Sequence, residues 1–123
     1  MRFVVVGGTL CVLGALLELW AGLELGWRRA LDLTDAPPDT ALPRLVFRGP
    51  FGWVRHPQSL GLLLILAGTA VAIRSPAMWL VAIAVGTLVV AIALRHDREL
   101  ARECGAAYER YRAVVPLLVP WRR

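Results

Sequence analysis

Apolar positions fall into three long runs separated by two polar intervals. The first run, 3–27, contains only Glu18 and Glu24 as charged residues, while 57–74 is uncharged up to Arg74 and 77–94 is uncharged throughout. As a helix rising 1.5 Å per residue, 3–27 would be about 37 Å long, enough to cross a hydrocarbon core of about 30 Å with some tilt. Pro57 suits the first turn of a second helix, and Arg74-Ser75-Pro76 ends it. So short a connection forces the second and third runs into an antiparallel hairpin, in which residues whose numbers sum to about 151 share a depth. His56 is therefore expected level with Arg95 and His96.

The polar intervals have different characters. From Arg28 to His56 the chain is expected to form a loop, because Asp32, Asp35, Pro37, Pro38, Asp39 and Pro43 interrupt any helix and Gly49-Pro50 makes a turn. Its bulky residues, Leu45-Val46-Phe47 and Phe51-Gly52-Trp53-Val54, require burial. Between Arg95 and Arg112, the residues Leu100, Cys104, Ala107, Tyr108 and Tyr111 recur at helical spacing among charges. That pattern predicts a separate amphipathic helix at a membrane interface, ended by Pro116, Pro120 and Trp121. The expected architecture is thus all-α and integral to the membrane: a single domain, 1–123, with spans at 3–27, 57–74 and 77–94, a loop over 28–56 and a tail over 95–123.

Composition supports a membrane setting. Of 123 residues 58% are hydrophobic, and the mean hydropathy is +0.60, more apolar surface than a soluble domain of this length can bury. Every basic side chain is arginine: 14 of them against 9 acidic residues give a net charge of +5. Five lie in 28–55 and seven in 95–123, leaving Arg2 and Arg74 for the other side. By the positive-inside rule the loop and tail are cytosolic and the N-terminus outside, with a bacterial inner membrane the expected setting. Anionic lipid headgroups are the expected partners; no stretch forms a nucleic-acid-reading module, so no nucleic acid is expected. Cys11 and Cys104 form neither a CxxC pair nor a disulfide framework.

Two other readings of the N-terminus fail. A signal peptide would need a small-residue cleavage site, yet the apolar run continues past Glu18 to Trp27. The Val4-Val5-Val6-Gly7-Gly8 sequence resembles a strand entering a nucleotide-binding turn, but GxGxxG spacing is absent and the glycines fit close helix packing. Glu18 is either a functional intramembrane carboxylate or one near enough to the interface to snorkel. Pairing of two copies would shield it, so a homodimer is among the expected partners.

The hairpin gathers Arg55, His56, Arg95, His96, Asp97 and Glu99 at one helix N-terminus, whose unpaired N–H groups can hold an anion. The plainer account is a belt of charge facing headgroups, with Trp53, Trp79 and Trp121 as interfacial anchors. A metal site is disfavoured because HxxxH and HExxH spacings are missing.

The order of the motifs is more informative. The run Leu45-Val46-Phe47-Arg48-Gly49-Pro50-Phe51-Gly52-Trp53-Val54-Arg55-His56-Pro57-Gln58-Ser59-Leu60-Gly61 is followed by the apolar hairpin. Then come Leu100, Gly105, Tyr108, Tyr111, Val115-Pro116 and Pro120. This order resembles the membrane methyltransferases of the isoprenylcysteine carboxyl methyltransferase and phospholipid methyltransferase superfamily. The resemblance implies a helical-bundle enzyme that binds S-adenosylmethionine on the cytosolic side and methylates a lipophilic or membrane-accessible acceptor. It also implies cofactor contacts at Leu45, Val46, Phe51, His56, Pro57, Gln58, Ser59, His96 and Asp97. His56 and Arg55 are the candidate catalytic residues. Where those relatives carry a tyrosine after Arg-His-Pro this chain has Ser59, and in place of the first of two acidic residues it has His96. The alternative is therefore a catalytically degenerate member that serves as a membrane interaction protein.

Overall fold

The computed structural model describes residues 1–32 and 49–119, and the described residues contain four α-helices and one 3₁₀ turn. Helix α1 spans Arg2–Asp32, the 3₁₀ turn Gly49–Gly52, α2 Pro57–Ile73, α3 Pro76–Cys104 and α4 Ala106–Val114. Two stretches are long and apolar enough to cross a bilayer, Arg2–Glu24 and Pro76–Cys104; Pro57–Ile73 is apolar but has 17 residues.

Helices α1 and α2 form the tightest packing in the molecule, and glycine makes it possible. A Cβ on Gly7 would stand 2.4 Å from the Gly68 carbonyl oxygen, and one on Gly14 would stand 2.5 Å from that of Gly61. The two contacts repeat every seven residues on both helices, in opposite directions, so the helices are antiparallel with backbones touching. Cys11 lies between the two pairs, its thiol 3.6 Å from the Ile65 carbonyl and from the Thr69 hydroxyl.

Helices α2 and α3 form the expected hairpin. Arg74 ends α2 in the left-handed conformation at φ 57°, donating its N–H to Ala70, and Pro76 opens α3. Large apolar side chains such as Val5, Leu19, Leu80, Ile83 and Leu88 are more than half exposed. Such a surface is stable in lipid and costly in water.

Two boundaries differ from the sequence reading. Helix α1 continues past Trp27 to Asp32, because Arg28-Arg29-Ala30-Leu31 contains no helix breaker and the prolines that end the pattern come later. More importantly, α3 does not end at Leu94. It runs through the charged stretch to Cys104, where Gly105 at φ 57° and ψ −130° breaks it and α4 folds back. The separate amphipathic helix over 95–112 is thus corrected to the polar end of α3 plus a nine-residue α4. Changing the solvent changes a helix's surface residues without ending its hydrogen-bond ladder; a glycine in a conformation other residues avoid does end it.

Candidate functional site

The polar residues converge where α2 begins. Pro50 accepts the N–H groups of both Trp53 and Val54, turning the chain toward α2. Arg55 and His56 then run extended beside the C-terminal segment: Arg55 N–H donates to Pro116 O at 2.9 Å and His56 N–H to Leu117 O at 3.2 Å. His56 caps α2 with its backbone only, since its side chain makes no capping hydrogen bond, and Pro57 takes the first helical position. Past Gly105, α4 places Tyr108 and Tyr111 with Cys104 and Val115 in a small core of their own, flanked by Leu100 and Ala101.

Asp97 is the hub. It is 2% exposed, and its Oδ1 accepts hydrogen bonds from Arg55 Nη1 at 2.5 Å and from the Tyr108 hydroxyl. Arg112 Nε lies 3.6 Å from Oδ2. One carboxylate on α3 therefore ties together the segment before α2 and the helix after Gly105. Two buried polar atoms beside it have no hydrogen-bond partner, Arg55 Nε and His56 Nε2. His56 Nε2 lies 3.7 Å from Asp97 Oδ1, too far for a hydrogen bond.

Burial sets the protonation states here. It pushes the His56 imidazole below its ordinary value of 6.5; Asp97 opposes the shift, whereas the nearby Arg55 and His96 charges reinforce it. His56 is therefore neutral at pH 7. Tyr111 is pushed up to about 12, chiefly by burial. Tyr108 is pushed up as well, by burial first and then by its hydrogen bond to Asp97. Both phenols keep their protons, so Tyr108 is a permanent donor to Asp97.

The expected site residues divide into three groups. Arg55, His56 and Asp97 are brought together, and Pro57 is buried at the start of α2 with Gln58 and Ser59 in its first turn. His96 is exposed although its neighbour Asp97 is buried, because successive helical residues point about 100° apart. Phe51 lies in the 3₁₀ turn, and Leu45 and Val46 fall outside the described residues. The depth rule for the hairpin holds closely, with His56 reaching Asp97 across the bundle. Sequence reasoning missed Arg112 and gave Tyr108 only a packing role. The available signal was their four-residue separation, which puts both on the face of α4 that meets Asp97.

Residues 3–102 match the family model described as phospholipid methyltransferase. No curated protein and no solved structure matches the chain.

Proposed function

Since the chain belongs to the phospholipid methyltransferase family, we propose that it is a membrane enzyme that transfers a methyl group from S-adenosylmethionine to a lipophilic or membrane-accessible acceptor. The family match over residues 3–102 carries this reading. Chemically, S-adenosylmethionine supplies an electrophilic methyl group on a sulfonium, which the acceptor's lone pair displaces while the sulfur keeps the bonding electrons.

The residues present fit such a group. Arg55 Nε and His56 Nε2 are buried without partners, and the first turn of α2 has unpaired N–H groups at Gln58 and Ser59. Together they can hold a carboxylate and hydroxyl groups. Neutral His56 can also take a proton from an acceptor that must lose one. Asp97 supports this arrangement by fixing Arg55; its Oδ1 is already occupied by two donors. In-line displacement requires alignment and exclusion of water, and the small core around Tyr108 and Tyr111 shields one side of the site.

In this reading the chain crosses the membrane three times, with the Asp97 end and the C-terminal tail cytosolic, in keeping with the distribution of arginine. At 17 residues, α2 is about 25 Å long, sufficient for a locally thin hydrocarbon layer. Isothermal titration with S-adenosylhomocysteine tests cofactor use: saturable heat is expected, and none at millimolar ligand would sink the proposal. If binding occurs but no labelled methyl reaches a lipid extract, the degenerate alternative favoured by Ser59 and His96 would stand instead.

A further inference from the structure

Beside the polar site lies an apolar groove of about 340 Å³ that the methyl-transfer reading leaves without a role. On α1 it is lined from Leu13 to Trp20 by positions i, i+3, i+4 and i+7, a single helical stripe; on α2 it is lined by Leu60 and Leu64. Pro50 and Val54 close one end, and Trp53 stands at its mouth with its ring edge-on to Trp20, centroids 5.3 Å apart. The groove extends about two helical turns, roughly 10 Å, from the Trp20 level toward Leu13. Its flank is open: Leu13, Leu16 and Trp53 are each more than half exposed.

We propose that this groove is a binding subsite for one acyl chain of a bilayer phospholipid, with the Trp20–Trp53 pair as a clamp at the mouth. Its lining is apolar and opens sideways on the surface of α1 that also exposes Val12 and Leu19, so lipid is the medium at its entrance. At about 30 Å³ per water-sized unit, the volume accommodates on the order of ten methylene groups, one chain segment and not two side by side. The mouth lies where a headgroup would meet the protein: Val54 is followed directly by Arg55 and His56, and paired tryptophans suit the interface between headgroups and hydrocarbon. Because a chain leaving bilayer hydrocarbon gains no hydrophobic free energy, its retention depends on close packing against the two leucine ridges and the indoles. The proposal rests on the membrane setting given above but not on methyl transfer.

The experiment uses the full chain in phosphatidylcholine nanodiscs with a single-chain phosphocholine lipid carrying a mid-chain diazirine, photolysed and mapped by peptide mass spectrometry. Saturable labelling is expected within 13–20 and 60–64, removable by excess unlabelled lipid. Leu16→Trp, which fills the open flank, should reduce that labelling about tenfold, the effect of losing about ten atom contacts. Leu19→Trp on the outer surface of the same helix should leave it unchanged. Labelling that does not saturate, or that spreads equally to Leu80 and Ile83 on α3, would reduce the groove to ordinary lipid contact and overturn the proposal. Saturable labelling by a farnesyl diazirine probe but not by the acyl probe would overturn the assignment to an acyl chain. If S-adenosylhomocysteine fails to bind while labelling saturates, the methyltransferase reading fails and the groove stands.

Discussion

Replacing Asp97 by alanine should be among the most damaging single changes in the chain. The substitution leaves the Arg55 guanidinium, whose side chain is 10% exposed, without its counter-charge and the buried Tyr108 hydroxyl without an acceptor. Removing one partner of a buried pair costs about 3–5 kcal/mol, and an orphaned hydroxyl about 1–3 kcal/mol. The two overlap because both donors use Oδ1, so about 3–5 kcal/mol is expected for Asp97→Ala. That is a large part of a stability of about 5–15 kcal/mol. Asp97→Asn keeps an acceptor oxygen and should lose less. Glu99→Ala removes only the exposed i,i+4 pair with Arg95 and should cost about 0.5 kcal/mol or less. Unfolding by added SDS in bicelles, followed by circular dichroism, measures all three. The Arg55→Met/Asp97→Leu double variant separates charge from shape: with no charge left uncompensated it should unfold less readily than Asp97→Ala alone. If Asp97→Ala and Glu99→Ala shift the transition equally, or the double variant is the worst of the set, Asp97 is no electrostatic hub.

The glycine seam gives a sharp contrast: Gly68→Ala, whose Cβ would lie 2.5 Å from the Gly7 carbonyl, should separate α1 from α2 and cost stability, whereas Gly8→Ala, with open space around it, should not; thermal unfolding in detergent compares them. Burial lowers the folded-state value of His56 below the 6.5 expected unfolded, so its contribution to stability is complete above pH 6.5 and declines as pH falls from 6.5 toward the folded value. His56→Gln should flatten the pH dependence of the unfolding midpoint over that interval, and an unchanged slope would exclude His56 as its source. Calorimetry should also find weakened S-adenosylhomocysteine binding for His56→Ala and unaltered binding for Trp79→Ala, since Trp79 lies in the first turn of α3 at the far end of the bundle.

Features set by local chemistry or helical period were legible in the sequence. Pro57, Arg74-Ser75 and Pro76 mark the hairpin by themselves, and its depth rule brought His56 to Asp97 without any coordinates. The α1–α2 seam was foreseen only as glycines suited to close packing, because their register with Gly61 and Gly68 is a property of two helices together. The end of α3 was misjudged because a change from lipid-facing to charged residues was taken for a helix end. The polar network was least visible: Arg55 and Asp97 are 42 residues apart, and only the reversal at Gly105 brings Tyr108 and Arg112 onto the same carboxylate. Trp53 read as a membrane anchor, and nothing in the sequence alone indicates its ring contact with Trp20.

The pairing of 55–56 with 116–117 bears on biosynthesis. Chains emerge from the ribosome N-terminus first, so α1 and the hairpin can be in the membrane before the segment that completes the polar end has been made. Until Tyr108 and Leu117 have followed, Asp97 and the N–H groups of Arg55 and His56 lack their C-terminal partners, and the nascent protein is inserted but unfinished. A reporter fused after α3 would register normal insertion of a chain that cannot yet organise this end. Judging whether the protein has matured therefore requires a probe of α4, not of membrane integration.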